Sequence, residues 1–239
     1  LKLTKKKPTL RNKDRWFKES FTWTSVTAST YSARYSPAGA MFDNGGSSIF
    51  SPNHLFVIGG LINSVVARRY FDVLSPSINY QPGEIGNLPY SGVLAETGSL
   101  IYEGIKDLVG SNIKISKYDW DSHETSWDFK ANELIALKNE VFLSINGEKQ
   151  SIPTLLTEIL EDYKSKWSRL FYQLHSNEEE LNRQFIEIYG LQDELTPDVP
   201  LEEITILQQG EISIENNEIV WHDDVIIKQL ISYAVGCWM

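Results

Sequence analysis

Two Trp–Asp pairs stand seven residues apart in the run Trp120-Asp121-Ser122-His123-Glu124-Thr125-Ser126-Trp127-Asp128-Phe129. No periodic packing rule demands such a run, so residues 111–131 are predicted to be irregular. The acids Asp119, Asp121, Glu124 and Asp128 invite a catalytic reading, because paired carboxylates serve as acid and base in sugar hydrolysis. Nothing around them supplies a substrate-binding context. The sequence favours Trp120, Trp127 and Phe129 as anchors to another helix or domain, with the acids capping nearby amides. His54, His123, His175 and His222 are scattered without metal-ligand spacing, and structural roles are expected for all four.

At 239 residues the chain fits one large domain or two small ones. A hydrophobic content of 41% with 12% aromatics is enough for a real core. No apolar run reaches the length of a membrane span, and the Lys-rich start is not followed by the apolar stretch of a signal peptide. No membrane partner is expected. The chain opens on Leu1 and closes on the apolar Ala234-Val235-Gly236-Cys237-Trp238-Met239, so both ends are expected to be cuts from a longer protein. The lone Cys237 cannot form an internal disulfide, which suits a reducing cytoplasm.

The net charge of −10 hides a split. Residues 1–90 carry eleven Lys/Arg against five Asp/Glu, a balance of +6; residues 91–239 carry eleven against twenty-seven, a balance of −16. The basic half begins Lys2, Lys5, Lys6, Lys7, Arg11, Lys13, Arg15, Lys18, interleaved with Trp16 and Phe17. Such charges are what phosphate contacts need. The acidic half repels phosphate and should face protein or solvent.

Local patterns divide the chain further. Phe21 to Val26 alternates aromatic or apolar residues with Thr and Ser, which predicts a strand. Asn44-Gly45 between Ala40-Met41-Phe42 and Ser48-Ile49-Phe50 predicts a hairpin. One helix is expected from about His54 to Leu74, on the stripe Leu55, Ile58, Ile62, Val65, Val66 and Tyr70. A loop to Asn87 and a second helix from Pro89 to Val109 follow, with Pro at the helix start. Beyond the Trp–Asp run, a strand pair is expected over 141–152 and helices over 153–174 and 177–189, the latter closed by Gly190. Thr196 to Pro200 reads as a linker. Short strands are expected at 204–207, 211–215 and 218–220, the last two around Asn216-Asn217, and a final helix begins near His222.

Four stretches, in order, resemble the PglX family, the adenine-specific DNA methyltransferases of BREX phage-defence systems. They are the Trp–Asp run, Phe42 to Phe50, Ile78 to Pro89 and Tyr189 to Leu195. The resemblance covers nearly the whole chain, but only the part of the family that lies after its catalytic domain. An adenine N6 methyltransferase needs a Gly-rich turn for S-adenosylmethionine and an Asn/Asp-Pro-Pro-Tyr/Phe loop for the flipped base. Leu88-Pro89-Tyr90 lacks the Asn/Asp and the second Pro, and neither Gly45-Gly46 nor Gly59-Gly60 opens a βα turn. This chain alone is therefore expected to bind no cofactor and to catalyse nothing. The resemblance implies a parent enzyme that uses S-adenosylmethionine, whose methyltransferase core the Trp–Asp run would also be suited to dock.

Leu61-Ile62-Asn63-Ser64, a loop and a proline-marked second helix also resemble target-recognition domains of type I specificity subunits and single-chain type II restriction–methylation enzymes. Such domains read base edges, with Arg suited to guanine and Asn or Gln to adenine. Together these readings give an α+β fold. Residues 1–110 form a target-recognition-like domain of short antiparallel strands and a helix pair; residues 111–239 form an acidic, mainly helical spacer with a small β element. Double-stranded DNA is the expected partner, through Lys5, Lys6, Lys7, Lys13, Thr24, Ser25, Ser29, Arg34, Asn44 and Gln81. Asn63 and Ser64 are expected to cap or bridge a neighbouring segment instead. The rival reading is a protein-interaction scaffold that docks other BREX components through its acidic face.

Overall fold

A computed structural model describes residues 12–27, 30–43, 45–75, 77–143 and 155–238. The fold is α+β, and the chain divides into two compact units, residues 1–109 with 181–196, and residues 110–180 with 197–239.

The first unit is built on a three-stranded antiparallel sheet of order β2-β1-β3, with β1 Ser20–Thr24, β2 Ala33–Ser36 and β3 Gly46–Ile49. The alternation in β1 forms as predicted: Phe21 and Trp23 are buried, while Thr24 is exposed. The expected hairpin across Asn44-Gly45 is not formed, because Ala40-Met41-Phe42 is not a strand and β3 pairs with β1 instead. Asp43 occupies that bend, its Oδ1 accepting from the amides of Gly45 and Gly46 at 2.8 and 2.9 Å.

Helix α1, Leu55–Asn63, packs on the apolar face of the sheet, and helix α2, Val65–Leu74, follows directly. A single helix was expected here. Ser64 splits it by turning to an extended ψ of 162° and capping α2 with its hydroxyl, which accepts from the Ala67 amide at 3.3 Å. The freed Val65 amide donates to Asn182 Oδ1 at 3.0 Å. Asn63 accepts from the Ala33 amide at 2.8 Å and donates to the Ala33 carbonyl at 3.0 Å. It thereby pairs the outer edge of β2 with a side chain, where exposed backbone groups would otherwise invite pairing. The bridging roles expected of Asn63 and Ser64 are observed.

The loop after α2 contains one short helix, α3 (Pro82–Ile85). The expected helix from Pro89 is displaced: a 3-10 turn spans Gly92–Ala95, and α4 runs Leu100–Asp121, started by Ser99, whose hydroxyl accepts from the Tyr102 amide at 3.2 Å. Pro89 instead presents its carbonyl to the Tyr189 hydroxyl, at 2.5 Å. The predicted irregular region thus shrinks to 122–132, and Trp120-Asp121 ends a helix.

Helix α5 is Glu133–Leu143, so the start of the strand pair expected at 141–152 is helical; residues 144–154 lie outside the described residues. The two helices expected over 153–189 are one, α6, Leu156–Tyr189. Asn177, the expected break, donates to Asn112 Oδ1 at 2.8 Å rather than capping a new helix. Gly190, at φ 67°, closes α6 as predicted: its amide bonds the Glu187 carbonyl and that of Leu191 bonds Ile186, the paired pattern of a Schellman cap. Residues 204–207 form no strand. Strands β4 (Ile212–Glu215) and β5 (Glu218–Trp221) pair around Asn216 and Asn217, both at positive φ, before α7, Asp223–Trp238. Trp167, Phe171, Leu174, Ile204, Ile206 and Leu207 form the core of the second unit.

Candidate nucleic-acid interface

Residues directly opposite in an antiparallel pair share a face of the sheet. Thr22 stands opposite both Arg34 and Ser48, Ser20 opposite Ser36, and Thr24 opposite Gly46. One face therefore carries Ser20, Thr22, Thr24, Arg34, Ser36, Gly46 and Ser48, with no apolar side chain in the three strands. The other carries Phe21, Trp23, Ala33, Tyr35 and Ile49, and packs on the helices. Trp23 and Tyr31 join Phe71 and Tyr80 in an aromatic cluster, and Trp23 Nε1 donates to the Tyr80 carbonyl at 2.8 Å.

Ser20 is buried at one end of this face, and the rest of it is partly or fully exposed. One shallow cavity of about 190 Å³ is lined by Thr22, Thr24, Thr27, Thr30, Ser32 and Arg34. Another, of about 500 Å³, adjoins it through Thr22 and Gly46 and reaches Lys18, Ser36, Asp43 and Ser48. Arg34 is exposed, and its guanidinium makes no hydrogen bond or ion pair with a described residue. An exposed guanidinium over a floor of hydroxyls is the chemistry that binds a guanine edge or a phosphate.

The structure brings Thr24 and Arg34 together in one cavity. Ser25 departs from the expectation of an exposed reader: as the next inward position after Phe21 and Trp23 it is buried, 7% exposed, with its hydroxyl 2.9 Å from that of Ser47. Gln81 is exposed but sits apart from this cavity, at the start of α3, where its amide donates to Glu84 at 3.0 Å. Lys13 is exposed on the 3-10 turn Lys13–Arg15. Lys5, Lys6, Lys7, Ser29 and Asn44 lie outside the described residues. The sequence reading missed Thr22, Ser36 and Ser48. Alternation in β1 was enough to find Thr22, but the other two depend on strand register.

In the second unit, of the four acids expected to cap nearby amides, Asp119 does so, while Asp121, Glu124 and Asp128 bond lysine or hydroxyl groups instead. Asp119 accepts from the Leu207 amide at 2.9 Å, Asp121 from Lys117 and the Ser126 hydroxyl, Asp128 from Lys117, and Glu124 from the Ser232 hydroxyl. Phe129 packs edge-on against Tyr233 of α7 at 5.8 Å, as an anchor should. Trp120 and Trp127 are exposed, Trp127 fully so. His123 and Glu211 are a buried pair at 2.7 Å. Burial alone would lower the His123 pKa, but the hydrogen bond and charge of Glu211, with the charge of Asp119, outweigh it and raise the value. Burial would raise Glu211, and its bonds from His123 and Gln229 hold it below the usual carboxylate range instead. Both imidazole nitrogens and both Glu211 oxygens are hydrogen-bonded, which fits a structural histidine. Among the described residues no group of His, Cys, Asp and Glu could hold a metal, and no helix is long and apolar enough to cross a membrane.

No protein-family model matches the chain. It is 31% identical over 246 positions to the adenine-specific methyltransferase BrxX of Escherichia coli O9:H4 (strain HS), an alignment that takes in all of this chain. It is 32% identical over 223 positions to the adenine-specific methyltransferase PglX of Lacticaseibacillus casei (strain Zhang), covering 92% of this chain. Along its length the chain is similar to one segment of PglX-type methyltransferases. It spans 18% and 16% of the length of those two relatives. The resemblance seen in the Trp–Asp run and its companion stretches is thereby borne out, and the PglX likeness extends across both units.

Proposed function

We propose that the first unit reads double-stranded DNA through the polar face of its sheet, as the target-recognition part of a PglX-type adenine-N6 methyltransferase in BREX phage defence. The observation that carries this reading is the hydroxyl-floored face on which Arg34 is exposed and, among the described residues, has no partner. The basic balance of residues 1–90 supports it, since cationic side chains supply non-specific affinity for phosphate. Residues 1–110 carry recognition and 111–239 serve as an acidic spacer, with residues 181–196 grouped with the first unit. S-adenosylmethionine and the adenine pocket belong to the methyltransferase core of the parent chain, and the protein works in the cytoplasm.

The test is duplex binding by the 239-residue chain as a function of salt. Affinity is expected to fall with a log–log slope of roughly −0.9 for each phosphate neutralised. Charge reversal at Lys5, Lys6, Lys7 and Lys13 should weaken binding to all sequences alike. Salt-independent binding, or none, refutes the reading. A second reading, docking of other BREX components, is favoured by one observation: Trp127 is fully exposed in the acidic unit.

A further inference from the structure

The larger cavity on the polar face contains a carboxylate, and a carboxylate is out of place on a surface that meets phosphate. Asp43 is exposed at its rim, with Lys18 also in the lining. The side chain is not free to turn away. Its Oδ1 is held by two backbone amides, Gly45 at 2.8 Å and Gly46 at 2.9 Å. Oδ2 makes no hydrogen bond with a described residue, so among these residues one acceptor held in place by its Oδ1 partners is unengaged. The adjoining cavity holds Arg34, a donor, and the two cavities share Thr22 and Gly46.

In the major groove a carboxylate accepts from the exocyclic amine of cytosine, and adenine also presents an amine there. Guanine presents only acceptors, which suit Arg34. A face with a fixed acceptor at one end and a donor at the other is thus matched to bases of opposite character. We propose that Asp43 is a specificity-determining residue that accepts a hydrogen bond, through Oδ2, from the exocyclic amine of a cytosine or adenine in the recognised site. The inference rests on the DNA-reading assignment of the same face and adds to it the class of base at one position.

Asp43 also holds a bend, so the test must separate bend from reading. Asp43→Asn does so: its Oδ1 still accepts from both glycine amides, while an NH₂ donor replaces the open oxygen. Wild-type chain and D43N are each used to select duplexes from a randomised pool, and chosen sequences are retitrated. The wild type is expected to enrich cytosine or adenine at one position. D43N is expected to change that position alone, to guanine or thymine, with discrimination altered by about tenfold or more. An unchanged base profile overturns the proposal, as does a uniform gain in affinity for every sequence, which would report only the loss of a negative charge. If the wild type binds no duplex, both this inference and the DNA-reading assignment fall; if it binds selectively and D43N keeps its profile, only this inference does.

Discussion

Gly59 is where helix α1 meets strand β1, and replacing it with alanine tests the packing that holds the polar face in place. A methyl group there would stand 2.2 Å from two ring atoms of Phe21 and 2.6 Å from a third. Carbon atoms pack at about 3.5–4.0 Å, so ring or helix must shift by more than an ångström. Phe21 has no room to swing aside. It is 3% exposed, lies edge-on to Tyr35 at 5.8 Å, and belongs to a strand paired on both sides. Overpacking of this kind costs about 1–3 kcal/mol, and the helix-propensity gain of Gly→Ala returns up to about 1 kcal/mol. An overlap this deep belongs to the upper part of that range, so net destabilisation of about 1–2 kcal/mol is expected. Gly104, inside α4, is the control. Nothing lies within 4 Å of its would-be methyl, so Gly104→Ala should stabilise by about 0.5–1 kcal/mol. Urea unfolding followed by circular dichroism, with hydrogen exchange of the β1 amides, measures both. If Gly59→Ala unfolds at the wild-type urea concentration or above, the close approach of α1 to the sheet is wrong.

Three further outcomes are expected. Asn63→Ala strips Ala33 of a donor and an acceptor partner at the edge of β2 and should destabilise the first unit by about 1–3 kcal/mol in urea unfolding, with Asn63→Asp less damaging because it keeps the acceptor. The raised pKa of His123 means that its proton is held more tightly when folded, so its contribution is complete below about pH 6.5 and fades as pH climbs through the higher folded value. Burial raises Asp119 to about 6, which removes stability progressively as pH rises from about 4 through 6 and leaves it lost above, while the lowered Glu211 adds stability that is lost as pH falls below its ordinary range. Melts at pH 6 to 9 should show a decline in the second unit that His123→Gln abolishes; an identical decline in the variant refutes this. Trp127→Ala, at a fully exposed side chain, should leave the urea midpoint within about 0.5 kcal/mol of wild type, and a larger loss would mean that the side chain is packed.

What could be read from the sequence was mostly local chemistry. The period-two pattern of Phe21 and Trp23, the left-handed Gly190 closing a helix, and the Asn216-Asn217 turn all follow from neighbours along the chain. The bridging role of Asn63 and Ser64 was legible because polar residues on an apolar stripe need partners. What escaped was decided over long range. Ser64 breaks the helix where Asn182, far along the chain, takes the Val65 amide. Asn177 looked like a helix start, yet its amide is spent on Asn112, so α6 runs through. The Asn44-Gly45 hairpin failed because β1 offered Gly46–Ile49 a partner with an aromatic face, which Ala40-Met41-Phe42 did not. Of the reading residues, Thr24 and Arg34 share one face, but alternation carried Ser25 inward.

The claim that the polar face chooses the DNA site is tested most directly by methylation mapping of genomes carrying the full-length parent enzyme with Arg34→Ala or Asp121→Ala. Arg34 is exposed on that face with no partner among the described residues, and a bidentate contact with guanine is worth roughly 1–3 kcal/mol, enough to change site choice. Asp121 is engaged with Lys117 and Ser126 in the acidic unit. The account predicts a relaxed or altered methylated motif for Arg34→Ala, and an intact motif, at most in lower yield, for Asp121→Ala. A motif that shifts with Asp121→Ala and survives Arg34→Ala would contradict it.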